Sequence, residues 1–220
     1  MTAGGPIAPP EPVPAWLREL AAVAKTMEVP PLIAPPERGG TPSAVLILFA
    51  DGPGGPDLLL IQRSQGLRLH AGQPAFPGGS IDAGEGAVAA ALREAAEEVG
   101  VDPGGVDVVG TLPEVYIERT GFRVVPVLGW WRQPSAVAPV DAGEVAAVER
   151  VGVAELADPA VRLMVRVPDG RTTPAFRVRG MLIWGFTAAL VDRLIALAGW
   201  EKPWDKARVM DYVNVADTPR

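Results

Sequence analysis

Cysteine is absent from the 220 residues, and histidine occurs once, as His70. The first absence excludes disulfides, zinc–thiolate centres and thiol nucleophiles. The second excludes any metal site built from several imidazoles. Positive charge is scarce as well. Lys and Arg number 20 against 26 Asp and Glu, a formal net charge of −6, and no basic stripe marks a nucleic-acid footprint. An acidic chain that handles an anionic small molecule must take positive charge from a metal ion or from a few local arginines. Long apolar runs are missing too. The richest stretch, 181–200, is broken by Asp192 and Arg193. A membrane helix needs about 20 predominantly apolar residues. The opening residues, MTAGGPIAPPEP, lack the basic start and apolar run of a secretory signal. These features point to a cytoplasmic protein that binds neither nucleic acid nor membrane.

Glycine and proline are in excess, at 25 and 24 residues. Both weaken element interiors, so they belong in loops, caps and tails. Apolar residues make up 48%, enough for a core, and the length suits one domain with appendages. Residues 1–41 read as a Pro/Gly-rich extension with one short helix at 15–27, where Trp16, Leu17, Leu20, Val23 and Ala24 fall at helical spacing. The connector 28–42 is irregular, though Leu32 and Ile33 can dock on a core. Strand-like runs follow at 43–50 and 57–63, joined by DGPGGP as a hairpin with a longer loop. Residues 64–84 read as a Gly-rich loop and 85–99 as a helix stopped by Gly100. Further strands are expected at 106–112, 122–131, 144–152, 161–167 and 174–180, and a last helix at 181–199. Strands and helices mix without regular alternation, which suggests an α+β fold or an α/β/α sandwich over 42–200. The tail 201–220 carries no signal of its own.

The helix at 85–99 is acidic where a helix tolerates acid least. On a helical projection Val88, Leu92, Ala95 and Val99 form the buried stripe. Glu94 and Glu98 lie on one flank, about 40° apart, and Glu97 lies further round, four residues after Arg93. Like charges at this spacing repel by a few tenths of a kcal/mol per pair. They also sit at the negative end of the helix dipole, at a cost of roughly 0.3–1 kcal/mol each. Arg93 relieves part of this. A solvated acidic face is one reading; a divalent cation, which reverses both penalties, is the other. The preceding PAFPGGSIDAGEG places Gly78, Gly79, Gly84 and Glu85 just upstream, where the backbone can approach a ligand or ion closely. Oxygen-only ligands suit Mg2+ or Mn2+ rather than zinc.

Gly79, five residues, Glu85, seven residues, Arg93-Glu94, then Glu97-Glu98 and Gly100-Val101 resemble the signature box of the Nudix hydrolases at every charged and glycine position. Ala95 departs from it, since the family prefers a bulkier aliphatic there. The resemblance implies a Nudix α/β/α sandwich with a mixed sheet and hydrolysis of a nucleoside diphosphate linked to another group. It implies that Glu94 and Glu98 are the principal metal ligands, Glu97 a third and the Gly79 carbonyl a backbone ligand. Arg93 would orient the glutamates through Glu85.

Residues 59–79, LLIQRSQGLRLHAGQPAFPGG, resemble the second motif that marks the coenzyme A pyrophosphatase branch of that family. Leu59, Leu60, Arg63, Ser64, Arg68, Gly72, Phe76, Pro77, Gly78 and Gly79 fit, and Ile61 replaces a threonine. The segments 120–127 and 183–188 resemble the same branch. The implied reaction splits coenzyme A into 4′-phosphopantetheine and adenosine 3′,5′-bisphosphate. ADP-ribose and NADH are the rival substrates, and a non-catalytic nucleotide sensor is a further alternative.

Arg63 and Arg68 are the only arginines or lysines in residues 43–92. Their planar forks suit phosphate oxygens, either of the diphosphate or of the extra 3′-phosphate; pairing with a site glutamate is the plainer role. Gly78 and Gly79 are expected at the substrate. His70 reads either as a phosphate contact or as a loop-organising residue. The base that activates water is open among Glu94, Glu114, Glu118 and Glu144, of which Glu144 opens a strand where many Nudix members carry a functional glutamate. Trp130, Trp131 and Trp184 are expected either to line a slot for the apolar tail of the substrate or to be core or dimer-interface aromatics, and a homodimer is one expectation.

Overall fold

The computed structural model describes residues 13–30, 33–67 and 71–211. Leu32, Arg68 and His70 lie outside the described residues, as do most of the Pro/Gly-rich start and residues 212–220 of the tail. Among the described residues the strands form two sheets.

The larger sheet is built around β1 (Thr41–Gly52), an unbroken run of aliphatic residues with Phe49. It turns through residues 53–54 into β2 (Gly55–Arg63), pairing Gly52 with Gly55. The expected longer loop is therefore a tight hairpin, because Asp51 and Pro56 pair instead of fraying. Gly55 takes φ +104°, a conformation open to glycine. On its other side β1 runs parallel to β7 (Phe122–Trp131), which pairs antiparallel with β5 (Val106–Thr111) and with the short β6 (Val115–Ile117). Strand β8 (Val145–Gly152) pairs with β2. The stretch 64–84 is not wholly loop. It contains β3 (Pro74–Ala75), paired with β2, and β4 (Gly78–Ser80), paired with β1. The second sheet has the order β11 (Met181–Ile183), β10 (Thr172–Val178), β9 (Arg162–Arg166), β12 (Val209–Asp211), so the tail adds a parallel strand.

Helices cover both faces of the larger sheet. Alternation along β1 divides the core. Ala44, Leu46, Leu48 and Ala50 pack with α2 (Ala87–Val99). Ile47 and Phe49 pack with α1 (Ala15–Ala24) and α4 (Gly185–Leu197). Both clusters are buried, so the architecture is the α/β/α sandwich with a mixed sheet. Helix α1 contributes Leu17, Leu20 and Ala24 to the core, and the edge of Trp16 meets Phe49 at 5.4 Å. It ends three residues earlier than the spacing predicts. The expected helix at 181–199 is also shorter, because 181–183 pair as β11 and Gly185, at φ +65°, turns the chain before α4. The short helix α3 (Val153–Leu156) follows β8.

Helix α2 differs from its expected form in two ways. Glu85 precedes it, since Gly86 is the N-cap. The fully buried face is Ala90, Ala91, Ala95, Glu98 and Val99, whereas Val88 and Leu92 are only half-buried. Alanines allow the helix to lie close to the sheet, and that closeness carries Glu98 inside. Gly100, at φ +75°, ends the helix, with the Gly100 and Val101 amides donating to the Ala96 and Ala95 carbonyls.

Candidate active site

One cavity of about 560 Å³ opens where α2, β4, the start of β8, the β6–β7 hairpin and the start of α4 meet. Arg63, Gly78, Gly79, Glu94, Glu98 and Glu144 all line it. These six expected site residues, spread over 82 positions of sequence, therefore share one space.

Two glycines bring α2 to the sheet. Gly78 and Gly79 face Val45 and Ala44 across the β1–β4 ladder. A Cβ on Gly79 would lie 2.5 Å from the Glu94 carboxylate. A Cβ on Gly78 would lie 2.3 Å from the Ala44 carbonyl oxygen. The backbone amide of Gly78 donates to Glu98 Oε2 at 3.0 Å.

Glu98 is 5% exposed. Burial pushes its carboxyl up to about 7, and the charges of Glu94 and Glu144 push the same way against the Gly78 amide and Arg63. Glu94 is also raised, first by burial and then by the Glu97 and Glu144 carboxylates, while Arg93 opposes the rise. The nearest cation to Glu98 is Arg63, whose Nη1 stands 3.9 Å from Oε1, too far for a hydrogen bond. Arg63 Nε is buried with no hydrogen-bond partner among the described residues. The lining thus sets three carboxylates against two arginines, Arg63 and Arg119, and Arg63 is short of acceptors. Hydrogen bonding of the Glu144 carbonyl with the Ser64 amide, at 2.9 Å, sets Glu144 beside the end of β2.

Arg93, Glu85 and Glu97 stand outside the cavity lining, and Arg93 ties them to Glu94 and Ser80 on it. The guanidinium grips Glu85 with two hydrogen bonds, at 3.0 and 3.1 Å. It also donates to Glu94 at 3.0 Å, to Glu97 at 3.0 Å and to the Ser80 carbonyl at 3.0 Å. That bonding holds the Glu85 carboxyl below its ordinary range and raises the already high value of Arg93. Glu97 is 60% exposed at its side chain and leans on Arg93 rather than into the cavity. Glu114 pairs with Arg123 at 2.7 Å and Glu118 is exposed, and neither lines the cavity. Trp184 lines it, whereas Trp130 and Trp131 are 5% and 2% exposed and belong to the two cores. Phe76 is buried against the same space.

The donor set fits a hard divalent cation. Two buried or half-buried carboxylates face a cavity with too little compensating charge, and the missing Cβ of Gly79 lets a carboxylate and the backbone meet. Among the described residues no three acidic side chains gather closely enough to form a closed metal site. Backbone or substrate oxygens are needed to complete one.

The NUDIX domain profile matches residues 40–176. The chain belongs to the Nudix family of hydrolases. It is 40% identical over 152 residues to a protein named uncharacterized Nudix hydrolase NudL from Citrobacter koseri, covering 66% of this chain and 76% of that one. The protein of the same name from Cronobacter sakazakii is 42% identical over 162 residues, covering 67% and 78%. Among solved structures, the Nudix hydrolase RenU of M. smegmatis overlays 77% of this chain and 92% of its own, with a TM-score of 0.53 and 24% identity. That likeness speaks to the fold. Among the described residues, no helix of this Nudix chain is long and apolar enough to cross a membrane.

The segments 120–127 and 183–188, singled out by resemblance, reach the cavity through Thr120, Phe122, Val124 and Trp184 to Thr187, whereas Ile117 and Arg119 beside them carried no signal in the sequence. Only the fold brings them to the glutamates.

Proposed function

We propose that this Nudix hydrolase cleaves the diphosphate linkage of coenzyme A or its acyl or oxidised derivatives, with Mg2+ or Mn2+, to 4′-phosphopantetheine and adenosine 3′,5′-bisphosphate. The observation that carries the reading is the cavity itself. Residues of the second motif (Arg63, Gly78, Gly79) and of the signature box (Glu94, Glu98) line the same 560 Å³. That volume lies within the usual range for small-molecule sites.

In this reading Glu94 and Glu98 hold the metal, helped by the Gly79 carbonyl and, from further out, by Glu97. A bound divalent ion supplies charge neutralisation for the diphosphate and a more acidic water. Arg93 fixes the rotamers of Glu94 and Glu97 while anchored on Glu85. Arg63 donates to a diphosphate oxygen and so gains the acceptor its Nε lacks. Glu144 takes the proton from the attacking water; unlike Glu94 and Glu98 it makes no ion pair among the described residues.

The test is a substrate panel of coenzyme A, acetyl-coenzyme A, ADP-ribose and NADH with Mg2+ or Mn2+, products being identified by mass spectrometry. Both named products are expected from coenzyme A. Cleavage of ADP-ribose or NADH with coenzyme A left intact overturns the proposal.

A further inference from the structure

The cavity has walls of opposite electrical character. One carries Glu94, Glu98 and Glu144; another is the start of α4, through Trp184, Gly185, Phe186 and Thr187. Helix α4 is 13 residues long, with no side-chain cap and no acidic residue in its first turn. Among the described residues, nothing accepts a hydrogen bond from the amides of Phe186 or Thr187. Such a helix start presents free N–H groups and roughly half a positive charge. Thr187 adds a second observation. It is only 7% exposed, it lines the cavity, and its hydroxyl has no partner among the described residues. The hydroxyl oxygen is open to the cavity rather than sealed from it, so a ligand there can bring the acceptor that the described residues do not.

We infer that the first turn of α4, with the Thr187 hydroxyl, is a subsite for a phosphoryl group other than the diphosphate being cleaved. Two backbone amides and a hydroxyl at a helix start match the oxygens of a phosphomonoester. The apolar neighbours Phe122, Val124 and Phe186 keep the local dielectric low and strengthen those bonds. The glutamate wall repels a dianion, whereas the cavity that α4 opens onto is also lined by the guanidinium-bearing Arg119. Arg63 stands against Glu98 and therefore serves the diphosphate side of the cavity. Given the coenzyme A reading on which this assignment rests, the group held by α4 is the 3′-phosphate of the nucleotide.

Calorimetric titration of the full chain with adenosine 3′,5′-bisphosphate and with adenosine 5′-monophosphate measures what the second phosphate adds to affinity. The preference for the bisphosphate is expected to be about tenfold or more, to fall about tenfold in the near-isosteric Thr187→Val and to return in Thr187→Ser. A melting curve confirms that each variant is folded. In parallel, the ratio of kcat/KM for coenzyme A to that for its 3′-dephospho form should fall by a similar factor in Thr187→Val. A wild-type chain with no preference, absence of binding included, overturns the subsite, as does a preference unchanged in Thr187→Val. A chain that prefers the bisphosphate yet leaves coenzyme A uncleaved overturns the substrate reading and supports the subsite.

Discussion

Replacing Glu98 by Gln should destroy activity and stabilise the metal-free protein. Glu98 is 5% exposed, and burial moves its carboxyl from 4.5 to about 7. Between those two values the folded chain binds more protons than the unfolded one, so stability falls as pH rises through the window. Above pH 7 the full penalty applies, about 3 kcal/mol. Gln carries no charge to desolvate, and its carbonyl oxygen still accepts from the Gly78 amide. In metal-free buffer at pH 8, Glu98→Gln should therefore raise Tm by roughly 6–12 °C for a chain of this size. At pH 4.5 the penalty is below about 0.5 kcal/mol and the two proteins should melt within roughly 2 °C of each other. Adding Mn2+ at pH 8 should stabilise the wild type and leave the variant nearly unmoved. Differential scanning calorimetry at both pH values is the assay. The reasoning is refuted if the variant melts no higher than wild type at pH 8, or if it gains equally at both pH values.

Further outcomes follow from neighbouring contacts. Glu144→Gln should lower kcat by about 100-fold if Glu144 moves the proton. A loss below about threefold returns it to the surface carboxylates. Gly79→Ala and Gly78→Ala should separate function from folding. The first presses on the movable Glu94 carboxylate, so it should abolish turnover at little cost to Tm; the second presses on the Ala44 backbone and should reduce soluble, folded yield. Arg93→Lys loses the planar grip on Glu85 together with bonds to Glu94, Glu97 and Ser80. Urea titration should show about 1–2 kcal/mol of lost stability, and a steady-state assay a drop in kcat.

Fold and site were legible to different depths. The glutamates of α2 were conspicuous because their placement opposes the helix dipole, and the glycines because a close backbone approach requires them. Gly100 declared the helix end, and its φ of +75° agrees. The inward face of α2 was legible in part. Hydrophobic spacing selects Val88, Leu92, Ala95 and Val99, of which Ala95 and Val99 are buried; alanines pack closer to a sheet, so Ala90 and Ala91 went in ahead of Val88 and Leu92 and drew Glu98 with them. The strands β3, β4 and β12 were invisible, since two or three residues carry no period and their pairing depends on distant partners.

The sequence by itself determined which residues carry charge and where the backbone must be bare: a run of acid on one helix and paired glycines ahead of it, both consequences of local chemistry. The tertiary structure alone decided that Glu98 is desolvated, that Glu97 leans away on Arg93, and that the start of α4 faces the same cavity. Those are distances between segments far apart in the chain. They depend on how closely helices settle on a sheet, which no local pattern encodes.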